Sequence, residues 1–171
     1  MRLEGITLKK TCSFYISDFH LSTLLLPYIT NKIRNDIQIV TFFEKDIEEN
    51  IKKVLKIMDI GEYIKEEVSK LKWSKTELKN NLGIFENLEF GEKDCNIIVA
   101  GEKAYIEYVN KKIVDSIKNV NKESLKYKTT VTINNCYYVE DVLNVNEILN
   151  EHDLLLNTSG EVKIDSVYNK C

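Results

Sequence analysis

The sequence predicts an α/β domain: one RecA-like three-layer sandwich, a mostly parallel sheet with helices on both faces, an edge hairpin at its C-terminal end, and no working phosphate loop. Three observations predict it. Short β-type apolar runs alternate with segments of helical spacing almost throughout, the pattern of βαβ units. Two of those runs, Ile37 to Phe43 and Asn96 to Ala100, are nearly continuous in apolar residues, as in strands covered on both faces. Glycine (6) and proline (1) are scarce, so loops are short. A chain of 171 residues with no visible linker or repeat reads as a single domain, residues 1–171.

Taken in order, Thr11 to Ile16 is the first β-type run, followed by Ser17 and Asp18, which suit a helix start. Leu21, Leu24, Leu25, Tyr28, Ile29 and Ile33 then form one helical stripe. Pro27 lies inside it, so the helix either kinks or restarts there. Ile37 to Phe43 is the second strand. Asp46 to Glu49 reads as a capping box opening a helix with Ile47, Ile51, Val54, Leu55 and Met58 on one face. Residues 60 to 73 fit a helix to about 67, then a short strand from Lys70 to Trp73. Ser74 to Glu77 is a second capping box and predicts a new helix. Asn96 to Ala100 is a strand, and Gly101 begins the turn into a helix carrying Tyr105, Val109, Ile113 and Ile117 at steps of four. Thr129 to Val139 is β-rich, Glu140 to Asn150 a short helix, and Val162 to Val167 a final strand after the Thr158–Gly160 turn.

Composition excludes several classes. Hydrophobic residues at 43% and charged residues at 30% are globular proportions. A net charge of -3 argues against nucleic-acid binding by bulk charge. Of the 24 basic residues only Arg2 and Arg34 are arginine, and Asn and Ile are abundant. That bias points to an AT-rich, bacterial coding sequence, so the lysine runs are discounted as charge signals. The apolar stretch from Leu21 to Ile29 is too short to span a bilayer, and the first residues lack an apolar signal core. The expectation is a cytoplasmic protein with reduced thiols at Cys12, Cys95, Cys136 and Cys171, and no membrane partner.

The chemistry-bearing residues are few. The turn after the first strand, Ser17-Asp18-Phe19-His20, has neither the glycines nor the lysine of a phosphate loop. No metal-ligand spacing occurs, so no metal and no cofactor are expected. In an open α/β sheet the ligand crevice lies beyond the carboxyl ends of the strands. Tyr15, Asp18, Phe19 and His20 follow the first strand, Gly101 and Glu102 a middle one, and Tyr137 closes a third beside Tyr138, with His152 before a late strand. These form the candidate ligand-binding set. An apolar pocket with a few polar groups would take a small, mostly apolar molecule. Two function classes stay open: a binding domain, and a small enzyme using a Cys or His at the sheet edge.

Four stretches also resemble the MEDS domain family, the methanogen and methylotroph, DcmR-like sensory domains. They are Cys12-Ser-Phe-Tyr15 with Leu24-Leu-Leu-Pro-Tyr-Ile29; the strand Ile37 to Phe43 with its helix; Val99-Ala-Gly-Glu102; and Cys136-Tyr-Tyr138 running through Ile148-Leu149-Asn-Glu-His152 to the three leucines Leu154 to Leu156. They occur in the family's order over most of residues 11 to 167. The chain departs from the family pattern at Lys10, Asp153 and Tyr105. The resemblance implies a RecA-like sensory or signalling input domain that binds a small molecule, here passing its signal to a separate partner protein. Catalytic residues are not expected under this reading.

Overall fold

In the computed structural model, which describes residues 5–79, 83–120, 123, 125 and 127–165 and the backbone of Arg2–Leu3, the chain forms one α/β sheet with helices on both faces. In chain order the elements are β1 (Arg2–Leu3), β2 (Ile6–Tyr15), α1 (Asp18–Arg34), β3 (Gln38–Phe43), α2 (Glu48–Ile57), α3 (Glu62–Ser69), α4 (Gly83–Glu86), β4 (Cys95–Gly101), α5 (Lys103–Lys118), β5 (Thr129–Tyr138), α6 (Val145–Asn150), β6 (Leu154–Asn157) and β7 (Gly160–Lys163). The strand order is β3-β4-β5-β2-β6-β7, with β1 paired antiparallel to the start of β2. Pairs β3·β4, β4·β5, β5·β2 and β2·β6 are parallel, and β6·β7 is the antiparallel edge hairpin. This is the RecA-like sandwich that the sequence predicts.

Strand periodicity divides the core into two layers. Tyr15, Phe43, Ile98, Ala100 and Cys136 pack under α1, α2 and α3. Cys12, Phe42, Ile97, Val99 and Ile133 pack under α5, α6 and Phe85 of α4. Successive residues of β4 and β5 thus serve opposite cores, which is why those runs are apolar on both faces. The chain leaves β2 through α1 on the first face and leaves β5 through α6 on the second. The carboxyl ends of β2 and β5 are therefore a topological switch point.

Several elements differ from the sequence expectation. The strand expected from Thr11, β2, starts at Ile6, because Lys9 and Lys10 are tolerated within a strand whose other residues are buried or half-buried. Helix α1 runs through Pro27 without restarting; Pro27 is exposed, as is Thr23, so the carbonyl left without a partner faces solvent. The capping residue before α2 is Ile47, while Asp46 Oδ1 accepts from the Glu48 N–H at 2.9 Å, an Asx turn one residue early. No strand forms at Lys70 to Trp73, and no helix starts at Ser74. That segment instead bonds to the edge of β3, where Thr76 N–H donates to the Phe43 carbonyl at 2.8 Å, and to α3, where Trp73 Nε1–H donates to the Val68 carbonyl at 2.9 Å. Buried tertiary partners for Trp73 and Thr76 outweigh the local capping signal. Glu140 to Asn150 divides into a 3₁₀ turn, Val139–Asp141, and α6. The last strand ends at Lys163; the expected continuation at Ser166 and Val167 lies outside the described residues.

Candidate functional site

Parallel register brings the carboxyl ends of four strands to one edge. Tyr15 is opposite Tyr138, Gly101 opposite Tyr137, and Phe43 opposite Ala100. Tyr15, Asp18, Gly101, Glu102 and Tyr138 line one cleft there, joined by Glu44 and Asp141. The sequence reading brought Tyr15, Asp18, Gly101 and Glu102 together, and the fold does place them side by side.

The cleft is closed. Its void is about 10 Å³, roughly the space of one water. Glu44 closes it: Oε2 accepts from the Glu102 N–H at 2.7 Å. Glu102 is the capping residue of α5 and makes no side-chain cap of its own. The carboxylate thus sits at a helix N-terminus, where a bound anion would otherwise be stabilised. A Cβ at residue 101 would lie 2.3 Å from Glu44 Oε2 and 2.8 Å from Glu44 Cβ, so glycine is what lets the carboxylate reach this position. Burial pushes the Tyr15 phenol well above its ordinary range, aided by Cys136, Asp18, Glu44 and Asp141. The Tyr15 and Tyr138 rings are 5.6 Å apart, with Lys45 Nζ 5.7 Å from the centre of the Tyr138 ring.

Phe19 and His20 do not line this cleft. Phe19 is half exposed. The His20 Nδ1 accepts from the Ile16 N–H at 3.2 Å, and its backbone N–H donates to Ser17 Oγ at 3.1 Å. His20 therefore closes the tight β2–α1 turn. Only Ile16 and Ser17 separate strand from helix, so no loop is long enough to cradle a phosphate.

Tyr137 and His152 belong to the opposite face. Adjacent strand residues point to opposite sides, so Tyr137 cannot share the cleft with Tyr138. Tyr137 stacks with Phe14 at 6.0 Å and meets the His152 ring edge-on at 5.9 Å. A chain of hydrogen bonds lies beneath them. The Asn110 and Asn135 amides bond each other reciprocally at 2.7 and 3.0 Å, and Asn110 Nδ2 also donates to the Ile106 carbonyl at 2.8 Å. Asn135 Nδ2 lies 2.9 Å from His152 Nε2, and His152 Nδ1 lies 2.5 Å from the Ile148 carbonyl. A carbonyl can only accept, so Nδ1 carries the proton and Nε2 accepts from Asn135. Burial pushes the imidazole below its ordinary value and Lys10 adds to this, while the Ile148 carbonyl, Glu151 and Asp153 oppose it. His152 is a neutral ring with both nitrogens engaged.

Tyr137, His152, Asn110 and Asn135 border a recess of about 400 Å³ between α5 and the end of α6. Ile106 and Val114 supply apolar wall, and Lys10, Lys111, Glu107 and Glu151 stand around it. Sequence reasoning missed Asn110 and Asn135. A polar residue at position 110, next to Val109 in a buried helical stripe, and an Asn pair inside a β run were the available signals.

Cys12, Cys95 and Cys136 are buried free thiols, each pushed up to about 12, chiefly by burial. Among the described residues no three His, Cys, Asp or Glu side chains converge to hold a metal, and no helix is long and apolar enough to cross a membrane. No family model, curated protein or solved structure matches the chain.

Proposed function

We propose that the chain is a MEDS-like sensory or regulatory domain that binds a small, mostly apolar molecule and reports its presence to a partner protein in bacterial signal transduction. One observation carries this reading: the recess beside Tyr137 and His152 has the volume of a small-molecule site, apolar wall, and a polar floor whose groups are already bonded to one another. The floor's donors are engaged, so a ligand meets apolar wall inside and charged groups at the rim. The Tyr137 hydroxyl is the group on the strand side able to add one hydrogen bond to a ligand. Catalysis by the cysteines or by His152 is disfavoured, since burial keeps the thiols protonated and both imidazole nitrogens are engaged.

The test is ligand recovery from the recess. Protein purified from its host is extracted and the co-purifying small molecules are identified by mass spectrometry. Val114→Trp fills the recess from a half-buried helical position and should lose the ligand while circular dichroism stays unchanged. Equal recovery from wild type and Val114→Trp would refute the site. Multiple turnover of the recovered molecule would replace the sensory reading with an enzymatic one.

A further inference from the structure

The apolar residues left in solvent are concentrated at the carboxyl end of the two central strands. Ile16 is 66% exposed, Phe19 50% and Leu143 fully, with Val139 and Val145 also exposed. Ile16 and Val139 directly follow Tyr15 and Tyr138, which are register partners at the ends of β2 and β5. Phe19 stands in the first turn of α1 and Val145 in the first turn of α6. The other exposed large apolar residues, Ile57, Tyr63 and Tyr108, lie on α2, α3 and α5, and Tyr127 lies before β5. Scattered exposure is ordinary in a folded protein, but a concentration at the loops of a switch point is not.

The charge around this patch is mostly acidic, and Lys103 beside it is already paired with Glu147. Asp18 follows β2, Glu44 β3, Glu102 β4, and Glu140 and Asp141 β5, and none forms an ion pair among the described residues. Four of them act on the phenols of Tyr15 and Tyr138. The cleft's own cation is Lys45. The closed cleft gives the face a firm floor, because Glu44 already occupies the end of α5.

We infer that this face is a docking surface for a protein segment carrying apolar anchors flanked by lysine or arginine. Unpaired carboxylates around an apolar centre complement such a segment and steer its approach. The same charges repel an anionic lipid surface. They also oppose a symmetric pairing of two copies, which would set the acidic rim against itself. The inference rests on the reading of the chain as a domain that reports to a partner, and it names the face and the chemistry of that report.

The probe is a fluorescein-labelled 14-residue Leu/Lys amphipathic peptide, with a Leu/Glu peptide of the same pattern as control, measured by anisotropy on the whole chain. The Leu/Lys peptide should bind and the Leu/Glu peptide should not. The triple variant Ile16→Ser, Phe19→Ser, Leu143→Ser keeps every charge and should weaken binding at least tenfold. Glu140→Gln with Asp141→Asn should weaken it and flatten its salt dependence. Leu/Lys binding unchanged in the triple variant overturns the inference. So does a dimer in sedimentation, or flotation with phosphatidylglycerol vesicles, that the triple variant abolishes. Ligand recovery from the wild-type recess separates the two readings: peptide binding by wild-type chain that yields no ligand keeps the docking face and removes the sensory role.

Discussion

Replacing Tyr28 with Phe deletes one oxygen and leaves three groups without their partner. The Tyr28 hydroxyl donates to Glu161 Oε1 at 2.7 Å and accepts from Asn96 Nδ2 at 2.8 Å and Asn134 Nδ2 at 3.1 Å. Glu161 is at the surface and regains water, so its loss costs about 0.5–1 kcal/mol. Asn96 and Asn134 are 4% and 1% exposed and cannot. Each orphaned buried donor costs about 1–3 kcal/mol. The expected destabilisation is therefore about 2.5–7 kcal/mol, with no change in side-chain volume beyond the hydroxyl. For a chain of this size, at about 2–4 °C per kcal/mol, that is roughly a 5–28 °C fall in Tm. Urea unfolding followed by fluorescence and circular dichroism together measures it, with coincident transitions as the check on two-state behaviour. A loss below about 1 kcal/mol would refute the reasoning. It would mean that the amides re-pair, for instance through Asn134 Oδ1, which has no partner among the described residues.

Three further outcomes are expected. His152 resists protonation in the fold, so the unfolded chain binds the extra proton; stability is lost as pH falls through the ordinary value of 6.5, and His152→Gln should flatten that part of the stability profile. Cys12, Cys95 and Cys136 should not react with Ellman's reagent in native Cys171→Ser protein and should all react in guanidinium; fast native labelling of any one would contradict its burial. Gly101→Ala forces a methyl against Glu44 and Tyr105 and should cost about 1–3 kcal/mol, read by urea unfolding, whereas Gly61→Ala, which meets nothing within 4 Å, should not.

The sheet was legible because β4 and β5 write their two-sided burial directly into sequence: Ile97, Ile98 and Val99 are each fully buried, on alternating cores. Helix α5 was legible because Val109, Ile113 and Ile117 repeat on one face. Ser74 to Glu77 misled because a capping box reports only local preference, while Thr76 answers to the edge of β3. The candidate site divides the same way. Its strand-end residues could be grouped, since parallel strands align their carboxyl ends. Which face each residue serves could not be settled before the register was known, so Tyr137 and Tyr138, one position apart, were joined in one pocket and stand in two. Glu44 carried no signal at all. Its role depends on a spatial neighbour, the Glu102 N–H, 58 residues away.

The terminal hairpin joins the rest of the sheet through a narrow seam. Strand β6 pairs with β2 only at Thr11–Leu154 and Cys12–Leu155. Below that seam Lys10 and Asp153 clasp each other, the Lys10 N–H donating to Asp153 Oδ2 and the Asp153 N–H to the Lys10 carbonyl, both at 2.8 Å. Above it the Tyr28–Glu161 bond fastens β7 to α1. Leu156 adds a buried anchor and Lys32 an ion pair to Glu161, but with so few backbone rungs the hairpin is expected to open before the central strands do. Hydrogen exchange would find the amides of β6 and β7 released together while β4 and β5 stay protected. Asp153 follows His152 directly, so such an opening would also loosen the histidine that borders the recess.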